Sequence, residues 1–254
     1  MENELTIRLS AFLVLFLLFA LLESYWPRRK RVYSRLSRWP THWAITAINA
    51  LMLRALSFGL PLLAVGAALD ASQAGFGLFN HLNWPIWVEF TICVLVLDFS
   101  IWVQHLITHK VPVLWRLHRV HHSDEDMDVT TAIRFHPVEI ALSMFLKIGL
   151  VYLIGPTALA VIIFEVLLNG TAMFNHANIS IPKPIDAVLR KIIVTPDMHR
   201  IHHSKIRLEH DSNYGFALSI WDQIFGTYTD VPQEGHEKMN VGLEWQDHRT
   251  TRLR

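Results

Sequence analysis

The chain has 254 residues, 52% of them hydrophobic and 18% charged, with a net charge of +1. A soluble domain of this length carries more charge and fewer continuous apolar runs, so a membrane protein is expected. No broad basic face speaks for nucleic acid. Cys93 is the only cysteine and lies in an apolar run, which excludes a disulfide framework and a thiolate metal site.

Four apolar stretches follow in chain order. Residues 9–22 form the first, preceded by Glu2 and Glu4 and followed by Arg28, Arg29, Lys30, Arg31, Arg35 and Arg38. Charges placed after the apolar run fit a retained anchor better than a cleaved signal peptide. Residues 43–69 are long enough to span with tilt despite Arg54, and residues 84–102 form a third span. The fourth stretch, 138–174, is about twice the ~20 residues that one spanning helix needs. Gly155-Pro156 near its middle predicts a tight helical hairpin. In such a hairpin Lys147 and Glu165 fall at similar depth and are expected to pair, since unpaired charges there are costly.

Charge then sets orientation. Residues 27–39 hold six basic residues and no acid, whereas 70–83 hold no Lys or Arg. The first segment is therefore expected inside and the second outside. With 138–174 a hairpin, every histidine cluster falls on one face of the membrane.

Those clusters carry the chemistry. His118-Arg119-Val120-His121-His122-Ser123 recurs almost unchanged as His199-Arg200-Ile201-His202-His203-Ser204, and His105 and His109 stand just upstream of the first copy. On a helix, positions i, i+3 and i+4 share one face, so each triad can converge on a metal. Two triads plus a pair suit a dinuclear site better than a mononuclear one. His176 lies at matching depth and joins the candidate ligands. His136, before Pro137, is a further candidate or a simple helix cap. His210 stays open, while His42, His81, His236 and His248 are expected at the surface. Asp98, seven residues before His105, is expected to orient a ligand imidazole by accepting its N–H. Imidazole suits zinc, copper, iron and nickel alike. A zinc-dependent membrane hydrolase acting on lipid and a non-catalytic metal-binding membrane protein therefore stand beside a di-iron oxygenase. Phe90, Trp102, Trp115, Phe135 and Phe174 are candidates to line an apolar pocket open to lipid.

The histidine set resembles that of the fatty acid hydroxylase/sterol desaturase superfamily. So do Arg134-Phe135-His136-Pro137, Phe174-Asn175-His176-Ala177-Asn178, Asn213-Tyr214-Gly215 and the run from Trp221 through Tyr228. The resemblance covers roughly residues 88–228. It implies an all-α integral membrane protein of about four transmembrane helices or helical hairpins under a cytosolic histidine-rich cap. It implies a non-haem di-iron enzyme using dioxygen and two external electrons to hydroxylate or desaturate a lipid. His105, His109, His118, His121, His122, His176, His199, His202 and His203 become ligands of two iron ions, which zinc can displace on overexpression. Ile179 and Ser180 stand where some members carry another histidine, so a water or Asn178 is expected to complete one iron. The expected partners are a lipid and a separate electron donor (ferredoxin, cytochrome b5 or a reductase), since the length leaves no room for a fused cytochrome b5-like domain. The expected division is an anchor region at 1–83, a catalytic domain at 84–228 and a polar tail at 229–254. The host membrane would be the bacterial inner membrane or the endoplasmic reticulum.

Overall fold

The computed structural model describes residues 4–59 and 63–243, and among them every regular element is helical. Four helices are long and apolar enough to cross a membrane: α1 (Glu4–Tyr25), α4 (Ile86–Lys110), α6 (Pro137–Ile154) and α7 (Ala158–His176). The protein is an all-α membrane protein.

The hairpin forms where the sequence places it. Gly155 ends α6 in the left-handed conformation at φ +66°, and Thr157 caps α7 by accepting from the Ala160 N–H at 3.3 Å. Glycine is required there twice over. A Cβ on Gly155 would sit 2.6 Å from Asn80 Nδ2, and one on Gly77 would sit 2.5 Å from the Gly155 Cα. The hairpin tip therefore rests on the 74–85 loop, and Tyr152 donates to Asp70, just before that loop, at 2.7 Å. Lower in the hairpin Lys147 Nζ meets Glu165 Oε1 at 2.7 Å, and Arg8 Nη2 reaches the other Glu165 oxygen at 2.8 Å. The expected pair exists, joined by a second cation from α1 that no local pattern announces.

The second apolar stretch is not one span. Helix α2 (Arg35–Gly59) ends before the stretch does, and a separate helix α3 (Ala64–Gln73) completes it. Leu63, extended at ψ 176°, opens the new helix. The polar residues of α2 turn inward: Thr46 donates to the Ile133 carbonyl and Asn49 to the Phe135 carbonyl. Helix α3 packs Ala64, Val65, Ala67 and Ala68 against Val151 of α6 and Val161 and Ile162 of α7.

The cap is tied to the membrane helices by buried charge. Arg38 of α2 makes two bonds to Asp124, at 2.9 and 2.5 Å, and one to Asp128 at 2.8 Å. Glu23 of α1 accepts from the backbone N–H of Val129 and of Asn178, at 2.6 and 2.9 Å, and pairs with Arg35. His42, expected at the surface, is fully buried in this network, its Nδ1 2.7 Å from Thr130 Oγ1. His81 is exposed as expected, His236 is half-buried near Asp197, and His248 lies outside the described residues. Residues 239–243 pack on the cap, Met239 and Val241 forming a small core with Met127.

Candidate metal centre

Each histidine group is delivered by a helix whose buried face is set by its sequence. The last two turns of α4 carry His105 and His109. Val111 then breaks the helix, and Pro112 opens α5 (Pro112–His122) at its first turn, where proline costs no hydrogen bond. On α5 Trp115, His118 and His122 are buried at i, i+3 and i+7, with His121 beside them. His176 ends α7. Helix α9 (Pro196–His202), capped by Thr195, is buried on nearly every side and brings His199 and His202 to the centre, with His203 just past its end.

The imidazoles sort into two sets. His105, His109, His118, His122 and His202 present one nitrogen each within 4.8 Å of one another, and so do His121, His176, His199 and His203. His121 and His122 are sequence neighbours that part to different sets, as are His202 and His203. The two sets touch, since the His122 and His203 rings stack at 4.3 Å between centroids.

Outward contacts fix the tautomers. A carbonyl can only accept, so His105 donates its Nδ1–H to the Tyr214 carbonyl, His202 to that of Ser212 and His176 to that of Ala172, each at 2.7 Å. His118 Nδ1 donates to Glu139 Oε1 at 2.6 Å. In each of these rings Nε2 is left with a lone pair aimed inward. His105 and His118 thus face each other Nε2 to Nε2 at 3.0 Å, and His176 faces His121 at 3.0 Å and His199 at 3.1 Å. Two lone pairs at that distance repel unless a cation lies between them. At a metal–nitrogen length of ~2.1 Å, nitrogens at right angles on one metal stand ~3.0 Å apart. The donor set therefore fits a metal in each group. Both nitrogens of His109 and of His203 are buried without a hydrogen-bond partner. Burial pushes His121, His122, His199, His202 and His203 well below the usual histidine range. They are neutral, the form that binds metal.

Other expected site residues lie elsewhere. Asp98 does not orient an imidazole; it accepts from Trp221 Nε1 at 2.8 Å and from the Leu218 N–H at 3.3 Å. The orienting acceptors are Glu139 and backbone carbonyls. The Asn178 side chain is bonded at both ends to the Arg29 backbone, at 3.0 and 2.8 Å, and not turned to the rings. His136 caps α6, its Nδ1 accepting from Val138 N–H at 3.1 Å. His210 joins the edge of the five-histidine set, 4.7 Å from His109 and 4.6 Å from His122 between ring centroids. Burial lowers its pKa to about 3.

A cavity of about 360 Å³ opens beside His105 and His118, reaching Asn49, Gln104, Glu139 and Phe135. Of the five aromatic residues expected to line a pocket, only Phe135 does. Trp102 donates to Asp222 at 3.0 Å, Trp115 packs on His109 and His210, Phe174 packs on Phe19, and Phe90 joins the core around Phe79. Their indoles and rings face protein, which interfacial position alone could not foretell.

Fold and centre together define a helical membrane protein with two adjoining histidine groups that could each hold a metal ion. The profile of the fatty acid hydroxylase family matches residues 90–227, more than half of the chain, and the chain belongs to that family. It is similar to an ornithine lipid hydroxylase of Rhizobium tropici, 26% identical over 179 residues that cover 69% of this chain and 53% of the relative. It is similar also to the alkylglycerol monooxygenase of Xenopus tropicalis, 34% identical over 63% of this chain and 33% of the relative. The human alkylglycerol monooxygenase is 33% identical over 66% of this chain and 36% of its own length. The chain spans between a third and about half the length of these relatives. No solved structure gives a significant match.

Proposed function

We propose that the protein is a membrane-bound non-haem di-iron oxygenase that hydroxylates or desaturates a lipid. The observation that carries this reading is the division of nine buried histidines into groups of five and four. A zinc hydrolase uses three protein ligands and one open position, and this set exceeds that. A pair of irons held there supplies activation of dioxygen with two electrons from a separate donor of the ferredoxin, cytochrome b5 or reductase class. The hydroxylation balances as RH, O2, two electrons and two protons giving ROH and water.

The chain's own residues do the rest. His105, His109, His118, His122 and His202 hold one metal, and His121, His176, His199 and His203 the other. Glu139 and the carbonyls of Tyr214, Ser212 and Ala172 keep the rings turned inward. Asn178 is occupied with Arg29, which leaves the four-histidine group a position for water. The cavity beside His105 and His118 takes the lipid, a substrate class that the names of the relatives share. Arg28 reaches Asp197 at 3.1 Å and Arg38 reaches Asp124, so the basic run lies at the histidine end of the bundle. By the positive-inside rule that end is cytoplasmic, in the bacterial inner membrane or the endoplasmic reticulum.

The test supplies the full chain with ferrous iron, a reductant and total membrane lipid under isotopically labelled dioxygen. A lipid gaining one labelled oxygen, or losing two hydrogens only when oxygen is present, is the expected result. Product formed without oxygen would overturn the reading, as would an iron-loaded protein that leaves every lipid unchanged.

A further inference from the structure

The cavity beside His105 and His118 is not a plain hydrocarbon slot. At its deep end the charges answer one another, Glu165 lying between Lys147 and Arg8. Nearer the histidines they do not. Asn49 is 7% exposed and donates Nδ2 to the Phe135 carbonyl, which fixes Oδ1 as an acceptor, yet Oδ1 is buried without a partner. Glu139 is 5% exposed; Oε1 takes the His118 proton and Oε2 has no partner. Gln104 Oε1 is likewise buried and unmatched. Three buried acceptor atoms without a hydrogen-bond partner thus belong to residues that line one space, an arrangement that costs stability unless a ligand fills it.

A second cavity adjoins the first. It is a groove of about 510 Å³ between α4, α5 and α6, walled by Val103, Ile107, Leu114, Leu142, Leu146 and Leu150. Ile107, Leu142 and Leu146 are exposed, so the groove opens sideways toward lipid. Gln104, Thr108 and Glu139 line both spaces and form the threshold between them. No histidine lines the groove; His105 and His118 line only the inner cavity.

We propose that the substrate is an amphiphile carrying a hydrogen-bond donor, a hydroxyl or amide N–H, which seats on Asn49, Gln104 and Glu139. Its hydrocarbon chain lies in the groove between α4 and α6. Asn49 and Gln104 are specificity-determining residues, and oxidation falls within a few bonds of the polar group rather than at the free end of the chain. This last point rests on the oxygenase reading; the binding site does not.

The experiment separates the two. The full-length protein in lipid nanodiscs is photolabelled with a C16 primary alcohol bearing a diazirine, and with the matching alkane lacking the hydroxyl. One matched hydrogen bond implies about tenfold stronger labelling of α2 and α4 peptides by the alcohol. Gln104→Leu, which breaks no bond of the fold, should shrink that ratio several-fold, and Gln104→Leu with Asn49→Leu should bring it near parity. Bound iron at the wild-type level reports that the variants fold. Equal labelling of the wild type by both probes overturns the proposal, and so does an unchanged ratio in folded variants. With reductant and oxygen added, a hydroxylated alcohol modified near its polar end supports the orientation, and one modified at the chain terminus overturns it. Preferential labelling without any oxygen-dependent product sinks the oxygenase reading alone and leaves the amphiphile site standing.

Discussion

His118 shows what a single ring does in this centre. Its Nδ1–H is fixed by Glu139, and its Nε2 faces His105 at 3.0 Å and His122 at 3.2 Å. Replacing Glu139 by leucine leaves the ring without its orienting acceptor. Losses of ~10–100-fold in metal affinity are typical for such partners. The loss should appear in the five-histidine group only, because the other group draws its orientation from Ala172 and its own packing. Competition with a chelator, followed by iron spectroscopy that resolves two sites, checks this; equal loss from both sites would refute the division. In the same way His202→Ala and His199→Ala should each retain about one iron per chain where the wild type holds about two. They should leave different spectroscopic sites behind. The convergence of these histidines was legible in the sequence because i, i+3, i+4 spacing is local. Their supports were not. The Tyr214 carbonyl comes to His105 from 109 residues away, and Glu139 reads in sequence only as an acid in the first turn of an apolar helix. Asp98 misled for a related reason: its helical stripe was right, but Trp221, 123 residues away, claims the carboxylate.

Among the elements, the α6–α7 hairpin was the most readable and α2 the least. Gly155-Pro156 interrupts an apolar run twice too long for one span, and the charges Lys147 and Glu165 fall opposite each other about the turn. Nothing local announced Arg8, which enters from α1. The three-membered arrangement makes an asymmetric prediction. Lys147→Met leaves Glu165 paired with Arg8 and should cost about 1–2 kcal/mol, whereas Glu165→Gln strands Lys147, Arg8 keeping Glu4 at 2.9 Å, and should cost about 3 kcal/mol. The double variant should recover part of the larger loss, with a coupling of about 1 kcal/mol or more. Unfolding in detergent followed by circular dichroism measures all three; strictly additive effects would show that the pair contributes nothing. Helix α2 escaped the sequence reading because residues 43–69 satisfy the length of a span while Thr46 and Asn49, with His42 just before the stretch, are spent on the cap segment 130–135. Hydropathy averages over faces and cannot see which face a neighbour covers.

For the whole molecule, the decisive property is that the ends of the bundle are chemically different. One end gathers the histidines, the basic run and the cap acids Asp124, Asp128 and Asp197. The other holds the hairpin tip, the 74–85 loop, Asp70 and Glu89, with Glu89 accepting the Thr157 N–H at 2.9 Å. A hairpin that leaves from and returns to the histidine end is what allows α5 and α9 to meet. With an odd number of crossings between them, the two HRxHHS copies would lie on opposite sides of the bilayer. The proposed orientation rests on the six basic residues of 27–39 and is open to direct measurement. Cys93 is buried, so single cysteines can be introduced against a silent background. Ala74→Cys, exposed at the start of the loop under the hairpin tip with an ordinary helical backbone, should react with a membrane-impermeant maleimide added outside intact cells. Lys205→Cys, three residues past His202 on the cap, should react only after the membrane is opened. Labelling of both from outside would place the metal centre on the wrong face for a cytoplasmic electron donor. Labelling of Lys205→Cys alone would invert the whole bundle while leaving the pairing of the histidine groups untouched.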